Sequence, residues 1–269
     1  MTLISRLNAR GVIAVGGEDR VTFLNGLVSN DVALVAPGRA VWAALLSPQG
    51  RYISDFFIYA DAGRLLLEAP QAMVADLLRR LSRFRLRMKV ELQDVTESLL
   101  VYAAWDGLPP SALIAAPDPR LQPAGYRLIS SESLEETASE AAYDAHRLVL
   151  GLPDGPPDLE PDKTLLLEAG FDELNGVAWD KGCYMGQELT ARTKYRGLVK
   201  RRLVPVTLDA APPAPGTPVM AEGSEVGTLR SSAGQIGLAM LRIDALEKHL
   251  ISGNALLKPN LPAWLKLQR

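Results

Sequence analysis

A single cysteine stands in these 269 residues, inside the run Lys181-Gly182-Cys183-Tyr184-Met185-Gly186-Gln187-Glu188. A thiol acts as a nucleophile or metal ligand only as the thiolate, and nearby cations favour that form. The following stretch, Leu189 to Arg202, carries six basic residues and no acid. Lys181, Arg192, Lys194 and Arg196 are therefore candidates for activating Cys183 wherever folding brings them close. Gly182 and Gly186 let backbone approach a bound group. Gln187 and Glu188 offer one neutral and one anionic side chain to orient it. A plainer description also fits, because a free cysteine is commonly a small buried hydrophobe. Composition leaves the two readings level.

Other chemistries find less support. The chain has no Gly-x-Gly-x-x-Gly and no Walker-type loop, and its two histidines, His146 and His249, stand at unrelated places. No nucleophile-elbow pattern points to a serine triad. An iron–sulfur cluster normally takes four thiolate ligands, so Cys183 alone can only share one with a second chain or a small thiol. One cysteine makes no internal disulfide, which fits a reducing compartment, and a cytoplasmic location is expected. No run approaches 18 apolar residues, and Met1 to Arg10 lacks the features of a secretory leader, so no membrane association is expected.

Net charge is −2, but its placement is uneven. Residues 181–202 hold seven Lys/Arg against Glu188 alone, and Arg79 to Lys89 hold six Lys/Arg and no acid. Basic patches on an acidic protein point to an anionic ligand or partner, and direct nucleic-acid binding is not expected.

The elements that must position these groups follow from periodicity. Gly11–Val15, Val41–Leu46, Tyr52–Tyr59 and Arg64–Ala69 read as strands, the last two joined by a turn at Asp61-Ala62-Gly63. Asp19 can cap a helix sharing Val21, Leu24, Leu27 and Val28, and Pro70 starts another with Val74, Leu77, Leu78 and Leu81 on its core face. Arg83 to Val90 alternates cation and apolar residue and reads as a half-buried strand, whose cationic face is either solvated or lines an anion cavity. Further strands are expected within Leu99–Ala116 and Tyr126–Ile129, and a helix over Glu135–Leu150 ending at Gly151. Beyond Arg202, prolines punctuate short β-like runs, Leu203–Leu208, Pro218–Ala221, Glu225–Arg230 and Ile236–Leu241, which reads as a small β-barrel or sandwich. The expected division is 1–95, 96–202 and 203–269.

The run Lys181 to Glu188, with Ala191-Arg192 and Arg196-Gly197 after it, resembles the signature of the YgfZ-type folate-binding proteins. Those are relatives of the glycine-cleavage T-protein, an aminomethyltransferase, and of the mitochondrial protein that helps mature [4Fe–4S] enzymes. Phe23-Leu24-Asn25-Gly26-Leu27-Val28-Ser29-Asn30-Asp31-Val32, Ser47-Pro48-Gln49-Gly50-Arg51 with Asp55, Arg83 through Val90, and Gly227-Thr228 through Gly237-Leu238-Ala239 fit the same family, so the resemblance spans nearly the whole chain. It implies an α+β protein: two mixed α/β domains and a small C-terminal β-barrel around a central channel that binds tetrahydrofolate. A folate's glutamate or polyglutamate tail is an anion suited to Arg85, Arg87 and the segment after Cys183. Its rings need aromatic or apolar walls, for which Trp42, Tyr52, Tyr143, Trp179 and Tyr184 are available.

The departures from the T-protein pattern bear on function. Its Asp-Asp pair appears here as Ser54-Asp55, leaving one carboxylate to face a folate nitrogen. Its Arg-x-Glu-Ala-Gly becomes Arg147-Leu148-Val149-Leu150-Gly151, and Val149 cannot accept a hydrogen bond from a pterin amine. T-proteins also lack the Lys-Gly-Cys signature. The resemblance thus implies a tetrahydrofolate-binding accessory protein for iron–sulfur cluster assembly or repair rather than a conventional enzyme. Its partners would be folate and assembly or client [4Fe–4S] proteins. Cys183 would be its reactive thiol, with Tyr143, Arg147, Arg85, Arg87, Tyr184, Gln187, Glu188 and Arg192 lining the ligand site. A folate-dependent aminomethyltransferase using Asp55 and a non-catalytic partner-binding scaffold are the alternatives.

Overall fold

The computed structural model describes residues 1–197 and 199–267. The chain opens with a short strand, β1 (Leu3–Arg6), that does not join the sheet built next. That sheet is antiparallel and five-stranded, from β2 (Arg10–Gly16), β3 (Val41–Leu46), β4 (Tyr52–Asp61), β5 (Arg64–Pro70) and β6 (Glu91–Asp94), in the order β3-β4-β5-β2-β6. Alternate residues of its inner strands supply two different cores, as a strand's period of two requires. Ile13, Val15, Ala43, Leu45, Phe56 and Ile58 face two helices, α1 (Arg20–Asn25) and α2 (Gln71–Arg85), where Val74, Leu77 and Leu81 meet them. Val12, Ala14, Trp42, Ala44, Phe57 and Tyr59 face the centre of the molecule. Each large apolar side chain so buried contributes roughly 1.5–3 kcal/mol, so both faces are strongly specified.

The second sheet has the order β1-β7-β9-β8, built with β7 (Leu100–Trp105), β8 (Ile114–Pro117) and β9 (Tyr126–Ser130). Helix α3 (Glu140–Leu150) follows, with the Ser139 hydroxyl accepting from the Ala142 amide (3.2 Å) and Gly151 at φ 76° closing its end. Residues 151–186 form turns without a helix or strand, yet Leu152, Leu159, Leu166, Leu167, Phe171 and Leu174 are buried in the central core. Helix α4 (Gln187–Tyr195) leads to a closed barrel, β10 (Arg201–Leu208), β11 (Pro218–Ala221), β12 (Ser224–Ala233), β13 (Ile236–Arg242), β14 (Leu250–Ser252) and β15 (Ala255–Pro259), in which β15 returns to pair with β10. Trp264 beyond the barrel donates its indole N–H to the Leu150 carbonyl (2.9 Å), and Arg202 bonds the Leu167 carbonyl (2.7 Å), tying the barrel to the rest.

A charged cluster lies between the sheets. Glu68 of β5 is fully buried and accepts from Arg10 (3.0 Å), Arg127 of β9 and the Tyr59 hydroxyl (2.6 Å). Arg127 also donates to the Tyr143 hydroxyl (2.6 Å) and lies 4.5 Å from the Phe57 ring centre. Burial works against ionising Glu68, but Arg127 and Arg10 outweigh it and hold the carboxyl below its ordinary range.

Four sequence expectations are corrected. Arg83 to Val90 is not a strand: α2 runs to Arg85, Leu86 breaks it at φ 46°, and pairing resumes only at Glu91. Of the alternating apolar residues only Val90 and, in part, Met88 are buried, against the helix-facing core, while Phe84 and Leu86 are exposed. Asp19 stands at the N-cap of α1 without a side-chain capping bond; its carboxylate accepts from the Lys89 amide instead (2.7 Å). Leu27 and Val28 are buried but lie past the end of α1. Helix α3 starts at Glu140 rather than Glu135, at the Ser139 cap.

Candidate functional site

Lys181 sets the position of the cysteine loop. Its ammonium donates to the carbonyls of Asn25 (2.8 Å), Val28 (2.8 Å) and Asn30 (2.7 Å), the chain leaving α1. The three N–H groups are thereby used, and the loop is tied to the first sheet's edge. Burial pushes this ammonium down to about 8, with Asp31 opposing. Gly186, at φ 80°, presses against the turn after β3: an added Cβ would lie 2.5 Å from the Ser47 carbonyl and 3.0 Å from the Gly50 Cα. The Tyr184 amide donates to the Gln187 side-chain oxygen (3.1 Å) and the Met185 amide to the Gly26 carbonyl (3.2 Å). Cys183 projects from this clamped loop and is exposed, beside Gly182, whose added Cβ would meet only open space.

The cations expected around the thiol are mostly engaged elsewhere. Lys194 binds both oxygens of Asp172 (2.9 Å) and lies 4.0 Å from the Trp179 ring centre, while the Trp179 indole donates to the same Asp172 (2.7 Å). Arg192 reaches Glu188 one turn away (3.4 Å). Tyr184 is buried, which pushes its hydroxyl up to about 12, a hydrogen bond with Thr190 opposing. Tyr184, Gln187, Lys181, Trp179 and the exposed Tyr195 surround a small cavity of about 140 Å³ beside the loop. Trp179 and Ala178 also border a larger cavity of about 610 Å³. Its apolar wall comes from Leu34, Val41, Pro117 and Val177, and its polar groups from Asn30, Arg39, Asp172, Asn175 and Asp180. Residues 172–180 are the part of this site that motif reasoning missed, Trp179 apart; a segment without periodicity gives no direction for its side chains.

The remaining candidates are distributed otherwise. Asp55, on the central face of β4, is 1% exposed, and its oxygens accept from the Trp42 indole (3.0 Å) and the Tyr52 hydroxyl (2.8 Å). Burial raises its pKa, with Arg10 and the Trp42 bond opposing. Trp42 in turn stacks on Phe171 (3.9 Å between ring centres), so the layer inside Val41 and Asn175 is filled. Tyr143 serves Arg127, and Arg147 binds Asp158 (2.7 Å) and Asp144 (2.7 Å); both border a separate cavity of about 150 Å³. Val149 points outward, 58% exposed, so no pterin contact is replaced there. Arg85 and Arg87 are exposed at the end of α2 and border neither the large cavity nor the cysteine loop.

Two sheets, an irregular packed segment and a closing barrel define the aminomethyltransferase T class of fold. The chain superposes on the glycine cleavage system aminomethyltransferase T from Bartonella henselae with a TM-score of 0.75, over 98% of this chain and 86% of that one, at 15% identity, a likeness of fold alone. Residues 200–267 match the family described as CAF17, C-terminal beta-barrel domain. The chain is 34% identical to the mitochondrial iron-sulfur cluster assembly factor IBA57 of Homo sapiens, over 88% of this chain and 76% of that protein. It is 32% identical to the mitochondrial IBA57 homolog of Mycosarcoma maydis, over 94% and 76%. The chain belongs to the family of the IBA57 iron–sulfur cluster assembly factors. The resemblance carried by Lys181 to Glu188 is therefore borne out, as is the α+β fold with its closing barrel. The cytoplasmic expectation is overturned, because these relatives are mitochondrial. A lone cysteine marks a reducing compartment without saying which one.

Proposed function

We propose that this chain acts in iron–sulfur cluster assembly, presenting Cys183 as a thiolate ligand to a cluster shared with a second protein. The reading rests above all on an exposed thiol carried by a loop that the Lys181 ammonium and Gly186 clamp in place. A preorganised ligand loses little entropy on binding a partner's cluster, and one thiolate leaves the other cluster positions to that partner. The relatives named as assembly factors support the same role. Replacing Cys183→Ala in cells lacking the native gene is expected to lower [4Fe–4S] enzyme activity to the level of the deletion. Full maturation by that variant would remove the thiol from the mechanism.

The finer part of the reading is that tetrahydrofolate occupies the large cavity rather than the sealed Asp55 region. The donor set suits it: Trp179 and Val177 offer an aromatic and apolar wall for the pterin, the exposed Asp180 an acceptor for its amino group, and Arg39 a cation for the glutamate carboxylates. Such a ligand would bring a reduced pterin to the side of the molecule that bears the thiol. Titration with mono- and polyglutamylated reduced folates is expected to quench tryptophan fluorescence saturably, with the change lost in Trp179→Phe. No binding at millimolar folate would discard the ligand while leaving the thiol test untouched.

A further inference from the structure

The basic run at the end of α2 has no role in the site around Cys183. Between residues 76 and 91 the chain carries six cations against two acids. Asp76 engages Arg79 and Arg80, and Glu18 engages Lys89 (2.7 Å). Arg83, Arg85 and Arg87 are exposed and have no ion pair among the described residues. Two large apolar side chains stand among them, Phe84 at 40% exposure and Leu86 at 86%.

The backbone here is held deliberately. Leu86 has φ 46° and ψ −113°, a conformation that glycine adopts readily and leucine at a cost. It is fixed from behind: the Lys89 amide donates to Asp19 (2.7 Å), the Asp19 amide donates back to the Lys89 carbonyl (3.2 Å), and Gly17 packs so close that an added Cβ would lie 2.1 Å from that carbonyl. A strained leucine is usually compensated by burial. This one is turned outward instead, at the tip of α2, flanked by the exposed Arg83, Arg85 and Arg87, of which Arg85 also donates to the Val90 carbonyl (3.4 Å).

We propose that this tip is a peripheral docking surface for an anionic phospholipid bilayer. Phe84 and Leu86 enter the interfacial layer, and Arg83, Arg85 and Arg87 pair with lipid phosphates. Apolar side chains ringed by arginines are the composition that interfacial segments use. An acidic protein partner fits less well, since a specific interface needs roughly 800 Å² from each side with a packed apolar core. The tip offers two apolar side chains, and the depression beside them, bordered by Asp19, Leu86, Arg87 and Met88, is open. No helix among the described residues is long and apolar enough to cross a membrane, so the contact is peripheral.

Co-sedimentation of the full chain with vesicles tests this. Phosphatidylcholine vesicles containing phosphatidylglycerol are expected to bind it, more weakly as salt rises, and pure phosphatidylcholine vesicles not to. The triple change Arg83→Gln, Arg85→Gln, Arg87→Gln is expected to lower partitioning by on the order of a hundredfold. Leu86→Gly, which suits the backbone and so leaves the fold intact, is expected to lower it about tenfold or more. Thermal melts establish that both variants are folded. Absence of binding to the anionic vesicles at low salt overturns the proposal, and so does binding indifferent to Leu86→Gly. Capture by immobilised polyglutamate with no vesicle binding would assign the tip to an acidic protein instead.

Discussion

At the scale of single residues, the cysteine loop is controlled by groups that never touch the thiol. The two glycines flanking it differ in kind. Gly186→Ala forces a Cβ against the Ser47 carbonyl from a left-handed backbone, where neither partner can yield, and is expected to cost on the order of 3 kcal/mol in chemical denaturation. Gly182→Ala meets open space and is expected to stay within about 0.5 kcal/mol. Equal destabilisation by the two would contradict the clamp. The motif itself was legible in the sequence, because its residue types are distinctive. The directions of its side chains were not. Lys181 is two residues from Cys183, yet its ammonium is spent on carbonyls more than 150 positions earlier in the chain, and Lys194 on Asp172. Sequence proximity on a loop sets no orientation, so a local count of cations overstates the charge available to a thiol.

At the scale of elements, the contrast between α2 and the barrel is instructive. Arg83 to Val90 satisfies the period of a strand, but Arg and Leu are also good helix formers, and the spacing of Leu77, Leu81 and Phe84 continues the helix. Periodicity alone could not decide, and the helix runs through Arg85 before the chain turns at Leu86 to bury Val90. If Leu86 stores strain, Leu86→Gly should raise the thermal midpoint by an amount corresponding to roughly 1 kcal/mol, against the usual direction for glycine. A fall would mean that the leucine packs in solution. In the barrel, four strands were legible from their apolar runs. The last hairpin, β14 and β15, was not recognised, although Gly253-Asn254 between two apolar runs is a two-residue turn signal. Three residues of β14 were too few for alternation to register.

At the scale of the whole molecule, buried charge joins the two sheets to α3. Arg127→Met would leave Glu68 short of a partner and is expected to cost about 3–5 kcal/mol. Asp154, bonded to Arg10 (2.7 Å), is held down at about 2 against an ordinary 3.8: burial works the other way, but Arg10 and then Arg147 prevail. A depressed carboxyl stabilises the fold fully above its unfolded value, and that contribution is lost as pH falls through about 2. It amounts to about 2 kcal/mol. Asp154→Asn should therefore lower the thermal midpoint at neutral pH, with the gap to the native chain closing toward pH 2; a gap constant with pH would exclude the ion pair as its cause. This polar centre was illegible in advance, since its members come from β2, β5, β9 and the loop after α3, and only the fold brings them together. The placement of β1 has a consequence for synthesis. Leu3 to Arg6 pair with Tyr102 to Trp105, so along the chain the five-stranded sheet is inserted between two neighbouring strands of the second sheet rather than simply preceding it. On the ribosome the first strand must wait unpaired while the entire first sheet is made, closing a loop of about a hundred residues before its edge is covered. A chaperone that shields Leu3 to Arg6 during that interval should speed folding of the nascent chain more than one acting on the barrel, whose strand pairings span shorter stretches of chain.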